Sequence, residues 1–300
     1  MFVVKYRKFF IGLSILLIVL SAAVIGRLGL NFGIDFTGGS VMEVSYADER
    51  PSVPEVRAAV SDAGFVDARV QLFGADSVIV RTSELDDVAR GELMNALAIG
   101  GDAEAVTMER FNTIGPTIGK ELQEKALIAL IVVALAIILF VAWAFRRVSK
   151  PVSSWNYGLA AVIALVHDVI IPIGIFALLG KEIDTLFVVG LLSILGLSVN
   201  DTIVVFDRIR ENISAHGSKG KNALRHFDRV VGQSIKQTVA RSINTSLTLI
   251  VVLGVLLTVG PAATRDLALV LMIGTLVGTY SSIFFASPLL LSFVSKKQQD

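Results

Sequence analysis

Cysteine is absent from this 300-residue chain, which excludes disulfide bonds and thiolate metal sites. Histidine is scarce as well, and His167, His216 and His226 are too widely spaced to form a metal-binding motif. No nucleophile–base pair or other ligand cluster accompanies them. The sequence therefore predicts neither an enzyme nor a binding site for a metal or a cofactor.

Charged residues are also few, at 18%, while hydrophobic residues make up 54% and the mean hydropathy is +0.72. A bilayer core of about 30 Å requires about 20 apolar residues in a helix. Six segments reach that length: 9–26, 126–145, 155–179, 183–206, 243–259 and 267–294. The first has no small-residue cleavage site and is expected to remain as a membrane helix, whereas Pro288 is expected to end the last one early. The pattern predicts an all-α membrane bundle of six helices.

Lysine and arginine are distributed unevenly around these helices. Sixteen of them lie on one side, and the short turns on the other side hold only Lys181 and Arg265. Positive residues favour the cytoplasmic side, so we expect both termini to be cytoplasmic. The predicted organisation is then residues 1–28 with the first helix, an extracytoplasmic domain at 29–122, and helices two to six at 123–300, with a cytoplasmic loop around 208–241.

The extracytoplasmic segment has the pattern of a small α+β domain. Ser40 to Tyr46 alternates as a strand does, and Ser52 followed by Pro54 and Glu55 is typical of a helix start. The remaining predicted elements are strands at 68–73, 77–82 and 104–111 and a helix at 85–98. The order β-α-β-β-α-β is that of a ferredoxin-like domain.

Two glycine-rich segments, NFGIDFTGGS at 31–40 and GPTIGKEL at 115–122, flank this domain. Gly38, Gly39 and Gly115 permit sharp turns or positive φ. They are compatible either with the geometry of a junction at the membrane surface or with a functional hinge. The GGS sequence is not a phosphate loop, because no Lys-Ser/Thr follows it.

The fourth apolar segment contains the polar residues Asn200, Asp201 and Thr202. Placing a carboxylate in a membrane helix costs about 2.5–3.5 kcal/mol, so such residues usually face the interior of a bundle. Ser198 and Gly190 share a helical stripe with Asp201, which would let another helix approach closely. Asp201 is either a structural contact between helices or a group that binds and releases protons.

His167 and Asp168 stand together in the third segment. Adjacent residues point about 100° apart on a helix, so we expect the two side chains not to share one face. The pair is either a structural contact between helices or a secondary proton or gating site. A metal-dependent phosphohydrolase is disfavoured, because no further ligands lie nearby.

The fifth segment begins VARSINTSLT, and its Arg241, Asn244 and Thr248 fall on one helical face. By hydropathy alone Arg241 is a cytoplasmic anchor. The polar residues that follow also make this face a plausible lining for a partner carboxylate, since Arg stays charged and can hold it.

Taken together, GIDFTGGS, GPTIGKEL, HDVIIPIG, LSILGLSVNDTIVVFDRIREN and RSINTSLT closely resemble the SecF family, from the first helix through the sixth. The run NDTIVVFDRIREN is the most specific signal, and only residues 197–199 and 235–240 are mildly atypical. Members resemble one half of a resistance-nodulation-division (RND) transporter, with SecD as the other half.

The resemblance implies a subunit that uses the proton motive force to assist preprotein translocation in the bacterial cytoplasmic (inner) membrane. Implied partners are SecD, the SecYEG channel, SecA indirectly, a YidC-type insertase, the unfolded preprotein and the lipid bilayer, with no nucleic acid. Asp201 and Arg241 would bracket the proton pathway, with Asn244 and Asn200 as polar neighbours. The alternatives are a half-transporter that exports a lipid or small solute through a large apolar outer pocket, and a passive scaffold that tolerates neutral residues at Asp201 and Arg241.

Overall fold

The computed structural model describes residues 2–47, 49–99, 106–145, 153–215 and 227–293. Its contacts divide the chain into two compact units. The outer unit is Phe32–Leu127, and the membrane unit combines Met1–Asn31 with Ile128–Asp300.

The helices and strands are numbered here in chain order. They are α1 Phe2–Lys5, α2 Arg7–Leu28, β1 Asn31–Phe32, α3 Ile34–Thr37, β2 Gly39–Tyr46, α4 Val53–Asp62, β3 Arg69–Phe73, β4 Ser77–Thr82, α5 Asp87–Leu97, β5 Val106–Ile114, α6 Pro116–Ala144, α7 Ser154–Leu178, β6 Glu182–Ile183, α8 Thr185–Ala215, α9 Phe227–Val259, α10 Ala262–Tyr280, a π-helix Ser281–Ala286 and α11 Ser287–Ser292.

The outer unit contains a four-stranded sheet in the order β3-β4-β2-β5, and every neighbouring pair is antiparallel. The two helices α4 and α5 follow β2 and β4, so the elements occur in the predicted order β-α-β-β-α-β. The last strand runs to Ile114, three residues beyond its predicted end. The start predicted for it, at residue 104, lies outside the described residues.

Alternation along β2 places one face of the sheet in the core of the outer unit. Met42 and Val44 are fully buried, and the buried Tyr46 donates a hydrogen bond from its hydroxyl to the carbonyl of Leu97, at 3.0 Å. The other core residues are Val56 and Val60 of α4, Val78 and Val80 of β4, Leu93 and Leu97 of α5, and Leu85 and Val106. The alternation predicted for this strand is therefore confirmed.

The start of α4 is fixed by Ser52 and Glu55, as the sequence predicted. The Glu55 carboxylate accepts hydrogen bonds from the Ser52 hydroxyl at 2.7 Å and from the Ser52 backbone N–H at 2.8 Å. These two bonds hold the pKa of Glu55 below its ordinary value, and the bond from the hydroxyl has the larger effect. A carboxylate in the first turn also complements the helix dipole.

The membrane unit confirms the six predicted spans, each long and apolar enough to cross a bilayer. Several helices extend beyond the apolar runs: α6 starts at Pro116, α8 continues to Ala215 and α9 starts at Phe227. The connection around 208–241, whose sequence is that of an amphipathic helix, is helical in its described part. Residues 216–226, including His216 and His226, lie outside the described residues.

The sixth span does not end early at Pro288, contrary to the expectation from sequence. The chain passes from α10 through the six-residue π-helix Ser281–Ala286 and remains helical to Ser292. A proline lacks an N–H and clashes with the carbonyl four residues earlier, and the wider π turn directly before α11 relieves that conflict. The Ser287 hydroxyl donates to the carbonyl of Ser282 at 2.7 Å.

Small residues let α10 approach α8 closely. A β-carbon at Gly190 of α8 would lie 2.5 Å from Val270, and one at Gly278 of α10 would lie 3.2 Å from the β-carbon of Ser198. Gly274 of α10 likewise has Ile194 directly against it. The stripe of Gly190, Ile194 and Ser198 thus meets a neighbouring helix, as predicted, and this packing positions the polar residues of α8.

Candidate functional site

A cavity of about 80 Å³ lies between α8, α9 and α10. The cavity is lined by leucine and glycine residues and by polar serine, threonine and asparagine residues, and Asp201 is the one charged residue in this lining. The lining residues are Leu197, Ser198, Asn200, Asp201, Thr245, Ser246, Leu249, Gly274, Thr275, Gly278 and Thr279. A cavity of this size has room for water.

The Asp201 carboxylate forms no hydrogen bond and no ion pair with the rest of the described chain, and it is partly exposed. The positive charge of Arg241 lies near enough to act on it electrostatically. A carboxylate inside an apolar helix normally obtains a partner. Asp201 instead faces a small open space, with a cation near enough to act on it.

Arg241 and Asn244 do not line the cavity. Both side chains are exposed on the surface of α9. Thr248, on the same face of α9, and Asn200, on α8, are exposed as well. The hydroxyl of Thr248 donates to the backbone carbonyl of Asn244 at 2.9 Å. The predicted polar face of α9 is therefore present and uncovered in the isolated chain.

The sequence interpretation missed the contribution of α9 and α10 to the cavity wall. The hydroxyls of Ser246 and Thr279 lie 2.5 Å apart and join these two helices. The Thr279 hydroxyl also lies 2.7 Å from the carbonyl of Thr275, which stands on the same face. A signal was present, because Gly-Thr recurs four residues apart in GTLVGT at 274–279.

A second polar cluster surrounds Asp168 of α7, and His167 and Asp168 are both fully buried. His167 Nδ1 pairs with Asp168 Oδ1 at 2.7 Å, a contact that the sequence analysis did not predict for two positions about 100° apart on the helix. Rotation about the side-chain bonds overcomes the 100° between neighbouring positions. Asp168 Oδ2 accepts hydrogen bonds from Ser281 Oγ at 2.7 Å and from Ser198 Oγ.

Ser198 belongs both to the cavity and to the polar cluster around Asp168. Its hydroxyl donates to Asp168, and the residue also lines the cavity beside Asp201. The two carboxylates that the sequence singled out in different helices are therefore separated by one serine side chain and the cavity. Within the described residues, no three His, Asp or Glu side chains cluster as metal ligands would.

Of the three glycines proposed as hinge elements, Gly38 and Gly39 lie in tightly packed parts of the outer unit and Gly115 does not. Gly38 and Gly39 have φ of +73° and +122°. A β-carbon at Gly38 would lie 2.7 Å from Pro116 Cα, and one at Gly39 would lie 2.6 Å from the carbonyl oxygen of Thr82. At Gly115 the nearest atoms are Glu84 carboxylate oxygens, at 3.7 and 3.8 Å. These contacts favour the junction-geometry interpretation for Gly38 and Gly39.

Comparison with protein families gives two matches that together cover most of the chain. The profile described as "Protein export membrane protein SecD/SecF, C-terminal" matches residues 97–296, and the "SecD/SecF GG Motif" matches residues 23–48. The chain belongs to the SecD/SecF family of protein-export membrane proteins. The family resemblance drawn from the motifs is confirmed.

Individual relatives of this SecD/SecF family member agree. "Protein translocase subunit SecF" from Anaerolinea thermophila is 38% identical over 96% of this chain and 92% of its own length. The SecF of Thermobaculum terrenum is 39% identical over 98% of this chain and 94% of its own length. In both relatives the match extends over nearly the whole protein.

A solved structure shows the same fold. The crystal structure titled "SecDF, a translocon-associated membrane protein", from Thermus thermophilus, superposes with a TM-score of 0.83 at 34% identity. The match covers 96% of this chain but only 38% of that one. The chain thus corresponds to somewhat more than a third of a SecDF polypeptide.

Proposed function

We propose that this SecD/SecF family member is an accessory subunit of the Sec protein translocase, in which proton movement through Asp201 assists preprotein translocation. The observation that carries the proposal is the Asp201 carboxylate, unbonded within the described chain, beside a water-sized cavity between three membrane helices. A structural polar residue at this depth would be expected to have a hydrogen-bond partner.

Arg241 supplies the charge on which protonation would act. While Asp201 is ionised, Arg241 attracts it; once Asp201 binds a proton, that attraction between α8 and α9 is lost. One charge crossing the membrane is worth about 2.3 kcal/mol per 100 mV, which shifts a two-state equilibrium more than tenfold. Coupling requires that each protonation state favour a different helix arrangement.

The exposed polar face of α9, with Arg241 and Asn244, together with Asn200 of α8, is the proposed surface for a SecD-type partner. Polar side chains inside a bilayer are costly unless another protein or water covers them. A SecD half would complete an RND-like bundle around Asp201. The complex would then act beside the SecYEG channel, with SecA indirectly and a YidC-type insertase as further partners.

The membrane orientation is proposed from the distribution of positive residues, with both termini cytoplasmic in a bacterial inner membrane. Lys181, one of the two cationic residues in the short turns on the proposed outer side, pairs with Asp266 at 2.8 Å, which offsets its charge. Single cysteines at Asp76 and Lys219 of this cysteine-free chain should react with an impermeant reagent from opposite sides. Labelling at position 219 in intact cells would contradict the orientation.

The outer unit is proposed to be a ferredoxin-like domain, since its sheet order β3-β4-β2-β5 with two crossover helices has that topology. Its described residues form a cavity of about 490 Å³ whose lining includes Glu49, Arg50 and Glu55. Charged walls do not suit a lipid or an apolar solute. The unfolded preprotein is the proposed substrate, in preference to a small exported molecule.

The proposal is tested by gradient-dependent export into inverted membrane vesicles. Asp201→Asn keeps the shape and removes the titratable proton, so export should stop responding to the proton gradient at unchanged abundance. Asp201→Glu should keep part of the response. Arg241→Lys keeps the charge but loses the planar fork, and an intermediate response is expected. If Asp201→Asn responds as fully as the parent, Asp201 is a structural residue and a passive scaffold is the better account.

A further inference from the structure

Asp168 is buried without any lysine or arginine beside it in the described part of the chain. Its exposed fraction is 0%, and its three hydrogen-bond partners are His167, Ser198 and Ser281. A carboxylate that accepts only from an imidazole and two hydroxyls keeps an uncompensated negative charge unless the His167–Asp168 pair takes up a proton. The site is therefore built around a group for which gaining a proton relieves a large electrostatic cost.

The surroundings of His167 indicate where that proton is needed. The imidazole lies against the rings of Tyr280 and Phe285, with centroids 6.1 and 5.1 Å away. Its Nε2 is enclosed and has no hydrogen-bond partner among the described residues. Its one hydrogen-bonding contact is therefore that of Nδ1 with Asp168 Oδ1, at 2.7 Å. The second oxygen of the carboxyl group, Oδ2, is the atom that faces the serines.

The other titratable groups that face this region are few. Tyr280 at the end of α10 donates its hydroxyl to the carbonyl of Phe10 at 3.2 Å, so it is held by another contact. Asp201 of α8 faces the cavity that Ser198 also lines, and Arg241 of α9 acts on Asp201. Ser198 is the residue that contacts Asp168 and the cavity together.

We propose that Asp168 is a second proton-binding group of the Asp201 site, reached through the hydroxyl of Ser198; this rests on the proposed function of Asp201. A proton on water in the cavity binds Ser198 Oγ, and the proton that Ser198 already directs at Asp168 passes to Oδ2. An O–H bond of the protonated water breaks as one forms at Ser198, and the original O–H bond of Ser198 breaks as one forms at Asp168 Oδ2. The net change is that the carboxylate becomes a carboxylic acid. Reversal returns the proton to the cavity.

Protonation at this atom also changes the hydrogen bonds between helices. Asp168 Oδ2 accepts from Ser198 of α8 and from Ser281 of the π-helix at the same time. A protonated Oδ2 becomes a donor, so its contact with Ser198 reverses direction and it is a weaker acceptor for Ser281. Ser281 has an alternative acceptor in the carbonyl of Gly278, at 3.2 Å.

Ser198→Ala and Ser281→Ala form a matched pair that tests the relay. Each removes one hydroxyl donor to the same oxygen, but only Ser198 lines the cavity. In the vesicle export assay with a partner complex at equal abundance, Ser198→Ala should reduce the response to the proton gradient severalfold more than Ser281→Ala. Equal responses of the two variants would mean that Asp168 is only a structural clamp, and the relay would be overturned.

Infrared difference spectroscopy of the purified full chain in lipid nanodiscs gives a readout independent of export. A pH step in the parent should show a carboxylic-acid C=O band that Asp168→Asn removes and Asp201→Asn leaves in place. In Ser198→Ala this band should appear more slowly after the step, while Ser281→Ala keeps the parental rate. A band with no contribution from Asp168 would overturn the inference. Loss of the gradient response in Asp201→Asn alongside such a result would leave the proposed function standing.

Discussion

Asp201 and Asp168 are carboxylates in neighbouring membrane helices with opposite surroundings. Asp168 is fully buried and saturated by three side chains. Asp201 is partly exposed, faces a cavity and has only the electrostatic attraction of Arg241. Buried polar groups in native proteins are nearly always hydrogen-bonded. The bonded carboxylate therefore contributes to holding the bundle and is reached only through Ser198, whereas the unbonded one is directly open to the cavity and to a partner.

The largest effect expected from this contrast is on stability at Asp168. Asp168→Leu leaves the donors of His167, Ser198 and Ser281 without their acceptor inside the bundle. Removing one partner from a buried network of this kind costs about 3–5 kcal/mol. Asp201→Leu orphans no hydrogen bond and should change stability by less than about 1 kcal/mol.

The measurement is thermal unfolding of both leucine variants in the same detergent, together with their abundance in membranes. Asp168→Leu is expected to be depleted and Asp201→Leu to match the parent. If the two variants unfold at the same temperature, the hydrogen bonds of Asp168 do not stabilise the bundle, and the proposed difference between the two carboxylates is contradicted.

A second test extends the contrast to the outer unit, where Gly39 lies in a closed site. Gly39→Val combines a positive φ with a β-carbon 2.6 Å from the Thr82 carbonyl oxygen, and strain of this kind costs about 1–3 kcal/mol. Export should fall in proportion to abundance. Gly115→Ala is the matched control, since its nearest neighbours are at 3.7 Å, and it should behave as the parent.

The hinge hypothesis makes a different prediction for the same variants. If Gly39 serves as a hinge, Gly39→Val lowers export more than it lowers the amount of protein. Quantitative immunoblotting beside the vesicle assay separates the two outcomes.

The smallest effect is expected at the exposed cap of α4. The folded pKa of Glu55 lies below its ordinary value, because Ser52 donates to the carboxylate. Its contribution is therefore present above the unfolded pKa and is lost as the pH falls through the folded pKa. Ser52→Ala should lower hydrogen-exchange protection in α4 severalfold at neutral pH and by less near pH 3, with the gradient response unchanged. A parental exchange pattern at neutral pH would show that the cap contributes nothing.

Much of this fold followed from local sequence signals. The alternation at Met42 and Val44, the cap at Ser52 and the length of the apolar runs each depend on residues close in sequence. The helix ends were less predictable, because hydropathy detects the apolar part of α8 or α9 and not its polar extension. The continuation past Pro288 depends on a π-helix, for which the sequence has no simple signature.

The candidate site was predictable only in part. Asp201 and Asp168 stood out because polar residues in apolar helices are rare. Their partners were not deducible, since the contact of Ser198 with Asp168 and the pairing of Ser246 with Thr279 depend on how separate helices pack. These pairs are 30 and 33 residues apart in the sequence, and such a separation does not tell which residues of two helices lie opposite each other.

Proton flux measures the central claim most directly. The chain and a SecD-type partner are reconstituted in liposomes that contain a pH-sensitive dye, and a potential is imposed across the membrane. The parent should acidify or alkalinise the lumen according to the sign of the potential, Arg241→Lys should do so more slowly, and Asp201→Asn should match protein-free liposomes. Parental flux in Asp201→Asn would show that protons cross by another route and would contradict the account.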